Sequence, residues 1–193
     1  GVVNIVTGHG DPCGKALTSH KKVARVSFTG GPGAARQILH NSAENFAEVS
    51  LELGGKSPFI VFEDANIESA VNGSIAGIFG ATGQSCVAGS RLYLQEDIAD
   101  EFLDRMVGLA KDIVIGDPLA DATQMGPLCT QGQMNCVERE VARALDEGGT
   151  LLCGGQRPKG LGGNYYEPTI IECPSQKMHI VDTEMFGPVL SVL

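Results

Sequence analysis

The sequence predicts an α/β protein, and three observations carry that prediction. Short apolar runs rich in Val, Ile and Phe alternate with stretches of helical periodicity along the 193 residues. Glycine clusters stand where the runs end, as at Gly30–Gly31 and Gly54–Gly55. No internal repeat or low-complexity tract competes with this alternation.

Taken in order, the run "GVVNIV" predicts a strand from the first residue. "KVARVSFT", Lys22 to Thr29, alternates Val26 and Phe28 with polar neighbours and predicts a strand leading through "GGPG" into a helix from about Ala34 to Asn41. In "EVSLELGG" the period of two sends Val49, Leu51 and Leu53 one way and Ser50 and Glu52 the other, until the diglycine stops the strand. "FIVF" after Pro58 predicts a buried strand, and Asp64 or Asn66 is placed to cap a small-residue helix running towards Cys86. Asp97 is expected to cap a helix with Ile98, Phe102, Met106, Leu109 and Ile113 on one face, followed by the long loop "IGDPLADATQMGPL". Thr130 and Gln133 have capping-box spacing before a helix bearing Met134, Val137, Val141 and Leu145, which Gly148 ends. The last five residues predict an apolar strand, and a domain seldom ends on its own core strand, so a longer parent chain is expected.

Composition excludes several function classes. A formal charge of −9 with no basic stripe is the wrong sign for a phosphate-backbone binder, so no nucleic-acid partner is expected. Aromatics are 5% and tryptophan is absent, against a base-stacking platform. No apolar stretch is long enough for a membrane span, so no membrane association is expected. The six cysteines show no C-x-x-C or C-x-x-H spacing, which gives no metal site and suits a reducing, cytoplasmic setting. The four histidines share no metal-ligand spacing either.

Four features could carry chemistry. Cys86 closes the segment Ser69 to Ser90, 22 residues without a formal charge, and is flanked by "GQS" and "VAGS". It is either a small apolar filler or a nucleophile kept out of bulk water, its neighbours leaving the backbone N–H groups approachable. Glu52, between Leu51, Leu53 and the diglycine, is either a solvated strand-end residue or a base whose pKa desolvation raises. "FTGGPGAAR", Phe28 to Arg36, is a strand, a glycine turn and a helix start. It is either an ordinary tight turn or a phosphate cradle built from backbone N–H groups and the helix dipole. Arg36 stands where a dinucleotide fingerprint needs its third glycine. Glu184 in "EMFGPV" is either a loop residue or a side chain held in a turn, and Lys56 could steady Glu52 or face water.

Together "VSFTGG", "LELGGKSP", "GQSCVAGSR", "MGPL", "YEPTII" and "EMFGPV" resemble the aldehyde dehydrogenase superfamily over nearly the whole chain. The resemblance implies the aldehyde dehydrogenase fold, with residues 1–53 the end of a Rossmann-like coenzyme domain and 54–193 most of an α/β catalytic domain. It implies NAD(P)-dependent oxidation of a small aldehyde to a carboxylic acid, using NAD or NADP. Cys86 would be the nucleophile, its N–H part of the oxyanion hole, and Glu52 the base that activates water. Thr29, Gly30 and Gly31 would line the pyrophosphate turn, where the family usually has Ser in place of Gly31. Glu184 would hold the nicotinamide ribose, Phe186 would pack near the ring, and Leu53 would be a further cofactor contact. The parent would be a homo-oligomer, dimer or tetramer, and these 193 residues alone inactive or nearly so. Two competing readings are a cofactor-free cysteine acyl hydrolase and a non-catalytic member of the same fold.

Overall fold

The computed structural model describes residues 1–193, and the chain divides into two compact units, Gly1–Gly54 and Gly55–Leu193. In the first unit an irregular turn, Gly10–Gly14, leads into α1 (Lys15–Thr18). Strand β1 (Arg25–Thr29), helix α2 (Pro32–Ser42) and strand β2 (Glu48–Glu52) follow as one β-α-β passage, β1 and β2 pairing in parallel from Arg25↔Glu48 to Thr29↔Glu52. Pro32 at the first helical turn fits the entry to α2, since its missing N–H is unpaired there in any case.

The strand expected at residues 1–6 does not form. Val2, Val3, Ile5 and Val6 are exposed, and neither β1 nor β2, which pair only with each other, takes this segment as a ladder partner. A strand's N–H and C=O groups then go to water and extended structure has nothing to fix it.

The second unit is built on a five-stranded sheet in the order β3-β4-β7-β6-β5. Its strands are β3 (Pro58–Val61), β4 (Arg91–Leu94), β5 (Thr150–Cys153), β6 (Thr169–Glu172) and β7 (Val189–Val192), all parallel except the edge strand β5. The terminal apolar run is thus β7, the middle strand, buried throughout. The short strands β4, β5 and β6 have no separate prediction in the sequence, where they read as connections.

Helices cover both faces. On one, α3 (Ile67–Phe79) and α4 (Glu96–Lys111) pack over Leu92, Ile170, Leu190 and Val192. On the other, α5 (Gln131–Asp146) and the short α6 (His179–Asp182) pack over Ile171 and Val189. Asn66 caps α3, its side chain accepting from the Ser69 N–H at 2.9 Å. Three helix expectations need correction. Gln95, not Asp97, is the N-cap of α4, and Asp97 instead places its charge in the first turn, where the dipole favours it. The buried stripe of α4 is Ile98, Phe102, Met106 and Ala110, with Leu109 exposed and Ile113 beyond the helix end. On α5, Ala144 rather than Leu145 completes the buried face. In both helices an alanine lets a neighbouring element approach where the larger residue points to solvent.

Candidate functional site

After α3 the chain enters an unusual turn. Ala81, Thr82 and Gly83 have φ of 49°, 58° and 69°, three successive residues in the left-handed region. Each non-glycine there costs about 1–2 kcal/mol, so something must hold them. Buried Thr82 donates its hydroxyl to the Gly126 carbonyl at 3.1 Å, and the Cys129 N–H donates to Gln84 Oε1 at 3.0 Å. Gly83 lies against the Gly187 carbonyl so closely that a Cβ would collide with it. On the far side the Gly89 N–H returns to the Gly77 carbonyl at 3.2 Å. Between these ties stands Cys86, exposed and free, its own N–H donating to no protein acceptor.

The apolar-filler reading of Cys86 therefore fails. The shielding from water expected of this thiol is not supplied by its own loop, where Cys86 and Val87 are both exposed.

The segment "EMFG" is fixed by different means. Gln133 does not complete the capping box: Thr130 accepts from the Gln133 N–H at 3.1 Å, but the Gln133 side chain turns away. It donates to the carbonyls of Met185 and, at 3.1 Å, of Phe186, holding Phe186 at φ 52°. Two carbonyls near one amide offer more than the single N–H of the box. Gly187 packs on Val137, where a Cβ would stand 2.6 Å from Cγ2. Upstream, His179 Nε2 sits 3.0 Å from the Thr183 hydroxyl and 3.3 Å from buried Glu140, which tethers the approach to Glu184. Glu184 and Phe186 themselves remain exposed.

Gly55, Lys56, Ser85, Ser90, Glu184 and Phe186 line one narrow cleft. Because β3, β4 and β7 run parallel and Lys56, Ser85–Ser90 and Glu184–Gly187 precede them, this cleft lies at the amino ends of those strands. Burial pulls the Lys56 ammonium down to about 8; Cys173 opposes the shift, Arg91 adds to it and Glu184 opposes it. Burial likewise pushes the Cys153 and Cys173 thiols up, leaving them protonated and inert. His179 is the sole histidine of this unit and is engaged by Glu140 and Thr183 rather than by a thiol.

In the first unit Thr29 and Glu52 are the last residues of the paired strands, with Leu53 just beyond and partly exposed. Glu52 is exposed, so the desolvation expected of it is not supplied by its own two-strand sheet. The Gly30 N–H is not free for a ligand either, since it donates to the Glu52 carbonyl at 3.0 Å and extends the ladder. The donors left are further on. Helix α2 starts at Gly31 with no side-chain cap and no acidic first-turn residue, and the space around Gly31 and Gly33 is open. That arrangement fits a dinucleotide phosphate, which needs unpaired N–H groups, the dipole and close backbone approach.

A model of the aldehyde dehydrogenase family matches residues 1–193, and the chain belongs to that family. It is 54% identical, over its whole length, to (Z)-2-((N-methylformamido)methylene)-5-hydroxybutyrolactone dehydrogenase of Acinetobacter baylyi, of which it covers 39%. To the chloroplastic betaine aldehyde dehydrogenase of Atriplex hortensis it is 45% identical, covering all of this chain and 38% of the relative. Among solved structures, a double mutant of betaine aldehyde dehydrogenase from Staphylococcus aureus, in complex with NAD+ and with a BME-modified cysteine, superposes with a TM-score of 0.92. That match has 38% identity and covers 97% of this chain and 39% of the other. The chain thus spans about two fifths of the length of these relatives, and its α/β architecture is that of aldehyde dehydrogenases. No helix is long and apolar enough to cross a membrane.

Proposed function

We propose that this chain is the thiol-bearing part of an NAD(P)-dependent aldehyde dehydrogenase that oxidises a small aldehyde to its carboxylic acid. The observation that carries the reading is Cys86: an exposed thiol with an unpaired N–H, on a strained turn fastened on both sides. Its thiolate attacks the aldehyde carbonyl to give a thiohemiacetal, and its N–H is placed to stabilise the developing oxyanion. The dinucleotide, when bound, supplies the hydride acceptor that converts this adduct to a thioester. Glu52 then takes a proton from water, which attacks the thioester carbonyl, releasing the acid and returning the thiolate. The α2 entry from Gly31 to Ala34 holds phosphate, with Thr29, Gly30 and Leu53 shaping the strand ends beside it. Glu184 accepts from ribose hydroxyls and Phe186 packs against the nicotinamide side. Residues 1–53 are the end of the coenzyme domain and also carry the base Glu52, and residues 54–193 carry the thiol together with the cofactor contacts Glu184 and Phe186.

The test uses the protein extended to the relatives' length, with an aldehyde panel and both nucleotides. Cys86→Ala is expected to lower kcat by at least about 10⁴-fold. Glu52→Gln is expected to stall with an acyl group on Cys86, seen as a mass increment on that peptide. Turnover surviving Cys86→Ala, or a stalled Glu52→Gln enzyme with no adduct, overturns the assignment.

A further inference from the structure

One face of the second sheet gathers cations that no carboxylate pairs with directly; the nearest acid, Glu184, shares the cleft with Lys56 but makes no ion pair with it. Arg91 of β4 is the ladder partner of both Pro58 and Ser191, and Ser191 that of Ile171, so these side chains share a face. The Arg91 N–H donates to the Ser57 carbonyl at 3.2 Å, which carries the pairing one step before β3. The period of two then sets Lys56 on the same face as Pro58, and Cys173 on that of Ile171.

The polar atoms of this group are poorly matched. Ser191 is fully buried with no oxygen or nitrogen partner for its hydroxyl, only the Cys173 thiol beside it, and Arg91 Nε is buried without an acceptor. The one side-chain hydrogen bond of Arg91 is to Tyr93, through Nη1 to the hydroxyl at 3.4 Å, with its guanidinium 5.8 Å from the ring centre. None of the six ion pairs in the chain includes Lys56 or Arg91. A buried donor left unmatched costs about 1–3 kcal/mol, more when charged, so a matching acceptor gains at least that much. Occupation of Nη1 by Tyr93 leaves Nε and Nη2, the edge of a guanidinium that a carboxylate grips with two parallel bonds.

We propose that Lys56, Arg91 and Ser191 form a carboxylate-binding site, Arg91 taking both oxygens and Lys56 and Ser191 donating to them. Burial lowers the Lys56 pKa to about 8 and Arg91 adds to the shift, while Cys173 and Glu184 oppose it without restoring the ordinary value. The carboxylate can be a free acid or an Asp or Glu side chain. The inference concerns the second unit alone and stands whatever the outcome for the aldehyde reaction.

The experiment is NMR titration of the lysine ammonium groups in the 193-residue chain against acetate, with chloride and phosphate at equal ionic strength. Acetate is expected to raise the Lys56 pKa by about one unit or more, as an opposite charge in contact does, while exposed Lys159 stays put. Arg91→Gln should weaken the acetate effect at least tenfold and Ser191→Ala several-fold. Ser191→Ala removes only a hydroxyl, and carries the test should Arg91→Gln not fold. An equal response to all three anions, or none to acetate, overturns the site. Repeating the titration in the chain extended to the relatives' length separates the sources. A retained response identifies free acid as the ligand, and a Lys56 pKa already raised and insensitive to acetate identifies a polypeptide carboxylate.

Discussion

Two glycine turns can be set side by side: Thr29–Gly33 between β1 and α2, and Ala81–Gly83 before Cys86. The first lies at the carboxyl ends of a parallel pair, and nothing stands near Gly31 or Gly33. The second precedes the amino end of β4, adopts left-handed backbone at three residues running, and is pressed against Gly187. In the first turn glycine supplies openness, for a ligand to meet the backbone. In the second it supplies close packing, so that a side chain two or three residues on is presented in one orientation. Equal composition serves opposite ends, and substitutions separate them.

The largest effect is expected at Gly83. Gly83→Ala drives a Cβ into the Gly187 carbonyl and forces alanine to hold φ 69°, so overpacking and the left-handed penalty add to about 3 kcal/mol. Urea denaturation of the second unit measures it, and a loss below about 1 kcal/mol would mean that the two loops are not interlocked as described.

Next comes pH, acting through Lys56 in the cleft beside that turn. Its pKa in the folded chain is lowered to about 8, so the folded state disfavours the ammonium that the unfolded chain keeps up to about 10.5. Between these values the unfolded state binds more protons, and stability gains on the order of 2 kcal/mol as pH rises. Cys153, Cys173 and Tyr166, all raised by burial, act in the opposite sense above pH 9. The measurable quantity is therefore the difference between wild type and Lys56→Met across pH 7.5–10.5. Parallel curves would place Lys56 in solvent and dissolve the cleft.

A third effect isolates the hydroxyl that fastens the turn. Thr82→Val keeps shape and strain but removes the donor to Gly126, leaving a carbonyl unpaired beside a buried side chain, for about 1–2 kcal/mol. The reactivity of Cys86 towards iodoacetamide, relative to exposed Cys129, should fall towards parity as the turn loosens.

How much of this was legible beforehand follows from what each signal encodes. The helices were readable from the spacing of Phe102, Met106, Val137 and Val141, because burial of a stripe repeats along one element. Strands β4 to β6 were not, since four residues are too few to establish a period and their pairing is set by partners up to a hundred residues distant. Cys86 and Glu52 were readable as odd residues among glycines, yet local sequence could not tell whether either is covered, and both are exposed. Thr82 and Gln133 were missed as organisers because their partners, Gly126 and Phe186, are backbone carbonyls, which leave no mark on sequence.

The smallest expected effect has the opposite sign and is the sharpest check on the contrast. Gly33 lies in the first turn of α2 with nothing within reach of an added Cβ. Alanine loses less backbone entropy than glycine on entering a helix, so Gly33→Ala should stabilise the first unit by about 0.5–1 kcal/mol. The same methyl should weaken NAD binding in the extended protein, because it crowds the N–H groups that a phosphate approaches. Stability gained together with affinity lost would show that Gly33 is kept for a ligand and not for the fold. Loss of both would instead make this turn a packed one like the turn before Cys86.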